Sequence, residues 1–269
     1  MSKNIIILFC LFQLTMVVAQ GQEIKTTLIS TKKSDFDVFA GFDGIGNLYY
    51  INNNILFKKT ENELWQYKNV TLGKITKVDF QNQLKIMLYY ENFNTIILLD
   101  NQLSETQKIN LSENEIPILA TAAGIASQNR LWIYNSLTQQ IGLYDYLKNT
   151  FQSITPSIQE TLKYYESDFN IFQWIDNKLN WYSCDVFGKI RTLGKVADFD
   201  QIQVVANQKV VFSKDGKLYF QDLTKTKFCL FLPSKKLRII KSQYHNAHSS
   251  SRKHRSRKND FNPFVSQTF

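Results

Sequence analysis

Histidine is the side chain most often used for proton transfer and zinc ligation. In this chain its three copies, His245, His248 and His254, all fall within the last 25 residues. Residues 20–244 contain none, which disfavours Ser-His-Asp and Cys-His catalysis, histidine-bearing zinc sites and imidazole bases throughout that stretch. Chemistry there must rest on carboxylates, tyrosines or lysines. Two carboxylate pairs have suggestive spacing, Asp35 with Asp37 and Asp198 with Asp200. On a strand, i and i+2 share a face, an arrangement that suits glycoside hydrolysis or a calcium ion. In a connection between strands the same spacing marks solvated turn acids, and that is the reading adopted. Asp43-Gly44-Ile45-Gly46-Asn47 superficially resembles a calcium loop, but it lacks the alternating oxygen ligands and distal bidentate acid, so a hairpin turn is expected. There is no G-x-x-x-x-G-K-[ST], no helix-opening G-x-G-x-x-G and no C-x-x-C. No catalytic, cofactor-binding or metal-ligating residue is assigned, and no cofactor is expected. Trp65, Tyr67, Trp132, Trp174 and Trp181, with the pairs Tyr49-Tyr50, Tyr89-Tyr90 and Tyr164-Tyr165, offer a sugar- or peptide-contacting face. Core packing is the default for them, one tyrosine of each strand pair packing inward while its neighbour faces out.

Whatever these residues do, short strands must position them. A polar turn followed by a Leu/Tyr/Phe strand recurs at Gly46-Asn47-Leu48-Tyr49-Tyr50, Asn82-Gln83-Leu84, Asn129-Arg130-Leu131-Trp132, Asn177-Lys178-Leu179 and Asn207-Gln208-Lys209-Val210. The anchors Leu48, Leu84, Leu131, Leu179 and Val210 are 31 to 48 residues apart, which brackets the roughly 40–50 residues of a four-stranded propeller blade. Strands are expected at 36–42, 48–51, 55–59 and 64–70 in the first unit, and at 75–80, 84–90, 95–100 and 106–111 in the second. The third unit has 118–126, 131–134, 141–146 and 151–154. Its small-residue first segment reads as an axis-lining strand, with a short helix as the competing reading. The fourth has 171–174, 179–184 and 189–193; the fifth has 202–206, 210–213, 218–222 and 227–232. Lys214-Asp215-Gly216-Lys217 signals a hairpin, and 156–169 has the spacing of a small helix inserted between the third and fourth units. The fold expected is an all-β propeller of four-stranded blades with five units visible, its closure left open; an open β-sandwich is the competing architecture.

The two ends differ from this body. Residues 1–19 read as a signal peptide: Lys3, an apolar run over 5–18, then Val17 and Ala19 at the positions a signal peptidase reads. Cleavage after Ala19 is expected, because the run is shorter than the roughly 18–20 residues of a bilayer span. Residues 20–234 form the propeller domain. Residues 235–269 are a basic tail read as disordered beyond 242. The net charge is +9, yet 22 basic and 22 acidic residues occupy 20–234, so the body is neutral and nucleic-acid binding by it is not expected. The tail has the charge to contact anionic surfaces. A strand at 23–31 stands apart from the five units and looks like the closing piece of a sixth blade, whose remainder the tail would have replaced. Cys184 and Cys229 either pair in an oxidising compartment or lie buried as small hydrophobes, and the latter is favoured.

At Gly46-Asn47-Leu48-Tyr49-Tyr50 and Asp215-Gly216-Lys217-Leu218-Tyr219-Phe220 the chain resembles exported bacterial β-propeller proteins of the broad WD40-like and NHL-like kind, over residues 36–232. The Trp-Asp dipeptide of WD40 repeats is absent, since the four tryptophans precede Gln, Ile, Ile and Tyr. The resemblance therefore transfers no functional residue. The expected function is an exported, periplasmic, cell-surface or extracellular, non-catalytic platform that binds a protein or surface polymer in the cell envelope. The alternative is a carbohydrate-active enzyme, a hydrolase or lyase, using paired carboxylates in an axial pocket. A third class acts through the tail on membranes or nucleic acid.

Overall fold

The computed structural model describes residues 22–25, 35–113, 117–225 and 227–232, with 22–25 and 227–232 described as backbone strands. The signal segment, the connector 26–34 and the basic tail lie outside the described residues. Blade 1 is β2 (Val38–Phe42), β3 (Leu48–Asn52), β4 (Ile55–Lys59) and β5 (Leu64–Tyr67). Blade 2 is β6 (Lys77–Asp79), β7 (Ile86–Tyr90), β8 (Thr95–Leu99) and β9 (Glu105–Asn110). Blade 3 is β10 (Ala120–Ile125), β11 (Arg130–Asn135), β12 (Gln140–Asp145) and β13 (Thr150–Ser153). Blade 4 is β14 (Leu162–Ser167), β15 (Ile171–Asp176), β16 (Asn180–Asp185) and β17 (Ile190–Lys195). Blade 5 is β18 (Gln201–Ala206), β19 (Lys209–Lys214), β20 (Lys217–Asp222) and β21 (Lys227–Leu232). Each is an antiparallel meander in chain order. The first strands face one another across the centre, β10 touching β6 and β14. The chain is a five-bladed β-propeller.

The strands form where alternating apolar residues meet turns that accept left-handed backbone. Asn53 and Asn54 (φ 48° and 60°) close the β3–β4 hairpin, and Asp215-Gly216 (φ 50° and 73°) close β19–β20 in the register Lys214↔Lys217. Elsewhere a carboxylate at the strand end organises the turn: Asp100 Oδ1 accepts the N–H groups of Gln102 and Ser104, each at 2.8 Å, and Asp185 Oδ1 accepts those of Phe187 and Lys189.

Four apolar clusters join blades 1 and 2, 2 and 3, 3 and 4, and 4 and 5. A blade packed on both sides buries both faces, which changes the expected fate of the tyrosine pairs. Tyr89 belongs to the cluster shared with blade 3 and Tyr90 to the one shared with blade 1, and both are fully buried. Tyr164 and Tyr165 divide in the same way between blades 5 and 3. Only in blade 1 does the expected split hold, Tyr49 being buried and Tyr50 half-buried against Phe36 and Phe57. In blades 1 and 5 the burial alternates along the strands, whereas β7 and β8 are buried at every residue.

Three expectations need correction. The segment expected to be a helix at 156–169 contains β14, the innermost strand of blade 4, paired antiparallel with β15 apart from a bulge between Leu162 and Tyr164. Its helix-like polar spacing arises because Lys163 and Glu166 take partners distant in the chain, Asp198 at the surface and Lys77 at the axis. Leu179 consequently precedes the third strand of its blade, and the residue equivalent to Leu131 in β11 is Phe172 in β15. The isolated N-terminal strand, β1 (Gln22–Lys25), adds parallel to β21 as a fifth strand of blade 5, and the described residues form five sheets with no sixth among them. Residues 118–126 do contain a strand, β10, as expected. Cys184 is a buried free thiol whose pKa burial raises to about 12; the side chain of Cys229 lies outside the described residues.

Gly188 tests the tightness of the seam between blades 3 and 4. It adopts φ +82°, and an added Cβ would sit 2.1 Å from the carbonyl oxygen of Ile154. Gly216, at φ +73°, has open space around it. Gly188→Ala is expected to lower unfolding free energy by roughly 3 kcal/mol and Gly216→Ala by about 1–2 kcal/mol. Urea denaturation midpoints read the difference, and equal losses would contradict the packing described.

Candidate functional site

Crowding at the axis leaves room for few side chains, yet two first strands bring charge there. β6 is Lys77-Val78-Asp79, all three buried, and i, i+2 spacing sends Lys77 and Asp79 to one side. From β14, the Tyr165 ring lies 4.2 Å from Lys77 Nζ, and the Tyr164 hydroxyl donates to Glu166 Oε2 at 2.6 Å. Glu166 also accepts the backbone N–H of Val204 in β18. The cluster therefore ties blades 2, 4 and 5 together at the centre.

Burial moves these groups away from their ordinary titration. It lowers Lys77 to about 8 against the pull of Asp79 and Glu166, and it raises Glu166 against Tyr164, Lys77 and Val204. Asp79 spends its oxygens on structure. Oδ2 accepts Ile125 N–H at 2.8 Å and Gln81 Nε2 at 3.1 Å, while Oδ1 accepts Gln81 N–H at 3.2 Å. The Gln81 amide also reaches the carbonyls of Ile125 and Ser167 at 3.3 and 3.4 Å. A single glutamine thus bridges blades 2, 3 and 4 at one end of the axis. Gly124 is required beside it, since a Cβ there would fall 2.0 Å from Ser167 Oγ.

The residues singled out in the sequence sit elsewhere. Asp35 and Asp37 are exposed, and Asp37 Oδ2 accepts the Asn53 N–H at 2.7 Å. Asp198 accepts Lys163 Nζ at 2.8 Å and Lys214 Nζ at 2.7 Å, and these cations hold its carboxyl well below the usual range. Asp200 accepts the Asp215 N–H and lies 3.6 Å from Lys214 Nζ. Both pairs are turn groups, the second clamping blade 4 to blade 5. Asp43 is a filled turn acceptor, taking Ile45 N–H, Asn47 N–H, Asn47 Nδ2 and the Tyr49 hydroxyl. Among the described residues no group of three or more His, Cys, Asp or Glu side chains is placed to hold a metal ion.

Lys77, Asp79, Gln81 and Glu166 were not marked in the sequence as site residues. One signal was present: Lys77 and Asp79 are charged residues alternating within an otherwise apolar strand. Glu166 was hidden by the helical reading of its segment.

The two ends of the ring also differ. At one end, loops join first to second and third to fourth strands; the Gln81 bridge lies here, and Ile45, Leu84, Leu147 and Phe187 project from these loops, more than two-thirds exposed. Phe42 and Phe169 join them, also exposed. The opposite end carries Val70, Phe93, Leu119 and Leu137.

No protein-family model matches the sequence, and no curated protein matches it. Solved β-propellers do. A streptogramin B lyase superimposes with TM-score 0.53 at 10% identity, covering 78% of this chain and 76% of that one. BamB from Moraxella catarrhalis gives 0.42 at 14% identity over 75% of this chain, and PorZ from Porphyromonas gingivalis gives 0.45 at 13% over 78%. The chain spans 66% of the BamB chain and 29% of the PorZ chain. The likeness is one of fold. No helix among the described residues is long and apolar enough to cross a membrane.

The axial cluster has a measurable signature. Lys77 keeps its proton up to about pH 10.5 in the unfolded chain and to about 8 in the folded one. Between those values the unfolded chain binds more protons, so this group makes stability rise with pH. Relative to Lys77→Met, the unaltered protein should gain on the order of 2 kcal/mol between pH 8 and 10. At pH 7, Lys77→Met removes the cation that offsets Glu166, leaving it only Tyr164 and Val204, and should cost about 3 kcal/mol. Adding Glu166→Gln should return roughly 1–3 kcal/mol of that as coupling, and additive losses in denaturation would refute a shared cluster.

Proposed function

We propose that this chain is an exported, non-catalytic propeller that docks a protein or surface polymer on the loop end bearing Ile45, Leu84, Leu147 and Phe187. The observation that supports this reading is the gathering of exposed apolar side chains on loops from blades 1 to 4 at one end of a rigid ring. Exposed apolar surface costs solubility, and when contiguous it marks a binding surface. Loops of several blades can grip one partner over a broad area without a reaction centre. Residues 1–19 support export, to the periplasm, cell surface or medium. The neutral body supports a partner other than nucleic acid.

A second reading, a carbohydrate-active enzyme, draws on the buried carboxyls of Glu166 and Asp79 at the axis, burial raising the pKa of Glu166. Against it, Asp79 accepts three N–H bonds and Glu166 is held by Tyr164, Val204 and Lys77.

Photoreactive side chains placed at Ile45, Leu84 or Phe187, and for comparison at Val70 or Leu137, separate these readings. The platform predicts one shared adduct, identified by mass spectrometry, from the first three positions and none from the last two. Equal labelling from both ends would overturn it. Polysaccharide cleavage abolished by Glu166→Gln in a folded protein would favour the enzyme.

A further inference from the structure

Four of the five blades end at their fourth strand, but blade 5 has one strand more. β1 lies outside β21 and runs parallel to it, in the register Gln22↔Cys229, Glu23↔Leu230, Ile24↔Phe231 and Lys25↔Leu232. We propose that the outer edge of β21 is a strand-acceptor site, and that β1 of a second copy of this chain occupies it in a reciprocally exchanged dimer.

The acceptor differs from its counterparts in composition. Outer strands elsewhere are more polar: β9 reads Glu-Thr-Gln-Lys-Ile-Asn and β13 Thr-Phe-Gln-Ser, while β5 (Leu-Trp-Gln-Tyr) and β17 (Ile-Arg-Thr-Leu-Gly-Lys) mix apolar with polar residues. β21 reads Lys-Phe-Cys-Leu-Phe-Leu, with five apolar residues of six. An apolar strand with an open row of N–H and C=O groups is a template for another strand, and natural edges are normally blunted by charge or proline. Here the edge carries neither beyond Lys227, and a strand covers it instead.

The covering strand is poorly bound to its own copy by covalent structure. Residues 26–34 link β1 to the segment 35–37, which is already fixed on blade 1 through Phe36 and Asp37, and a nine-residue connector spans up to roughly 30 Å when extended. β1 therefore reaches beyond its own ring without any change in blade 1. Its ladder covers four residues, and a neighbouring copy's β1 has the same sequence and satisfies the same register. Exchange of an identical element replaces every contact with its equivalent, so it costs little beyond association entropy. Strand addition at an exposed edge is a general mode of recognition, and here main-chain bonds give the affinity.

The register supplies the test. Gln22 lies opposite the native Cys229. In full-length protein carrying Gln22→Cys alone, oxidation should link positions 22 and 229. Copies carrying Gln22→Cys with Cys229→Ser are then mixed with unaltered copies and oxidised with copper phenanthroline. In that mixture a 22–229 link forms only between chains. The proposal expects a covalent dimer whose yield rises with protein concentration, with a 22–229 peptide in the mass map that distinguishes it from links through Cys10 or Cys184. Closure within single Gln22→Cys chains, with no mixed dimer at any concentration, would overturn exchange and leave β1 a strap in its own ring. Absence of any 22–229 link in either experiment would overturn the acceptor site itself.

Discussion

A sheet whose two faces are both apolar must be covered twice, and this demand organises the molecule. Blades 2 and 3 meet it completely: β7, β8 and most of β11 and β12 are buried along their length because a neighbouring sheet lies on either side. Large rings supply much of the buried area, with Trp132, Trp181, Tyr89 and Tyr90 fully enclosed. Each such side chain removes about 150–250 Å² from water. Blades 1 and 5 lie at the ends of this series, and their strands return to alternating burial. The added strand at the outer edge of blade 5 meets a different demand, since it pairs with backbone N–H and C=O groups that the edge of β21 would otherwise leave open.

Close packing of sheets around a centre forces their first strands together, and the axis becomes a place where polarity is expensive. The chain places an ammonium and two carboxylates there nonetheless. They are tolerable because nearly every hydrogen-bonding capacity is used: Asp79 is filled by N–H donors, Glu166 by a phenol and a backbone amide, and Lys77 lies over an aromatic face. Such a network rewards one arrangement of blades 2, 4 and 5 over others, because any slip leaves a buried charge uncompensated. Gln81 extends the network to blade 3 and closes it at the end where apolar loops emerge.

Most strand positions, the turn chemistry and the lack of histidine residues in 20–244 are properties of local sequence, and they were legible there. Alternation in Leu48-Tyr49-Tyr50 and the Lys214–Lys217 hairpin report backbone geometry through side chains a few residues apart, so no distant partner is needed to read them. The small residues of β10 likewise announced an axial strand. Tertiary structure alone decided the rest. Alternation says that a strand has two different faces, but not what covers each, so both tyrosines of Tyr89-Tyr90 proved buried. Glu166 and Lys163 looked helical because their partners are 89 and 35 residues away in the chain, at Lys77 and Asp198. The axial cluster, the unequal ends of the ring and the parallel seat of β1 all depend on contacts between distant segments, which local spacing does not encode.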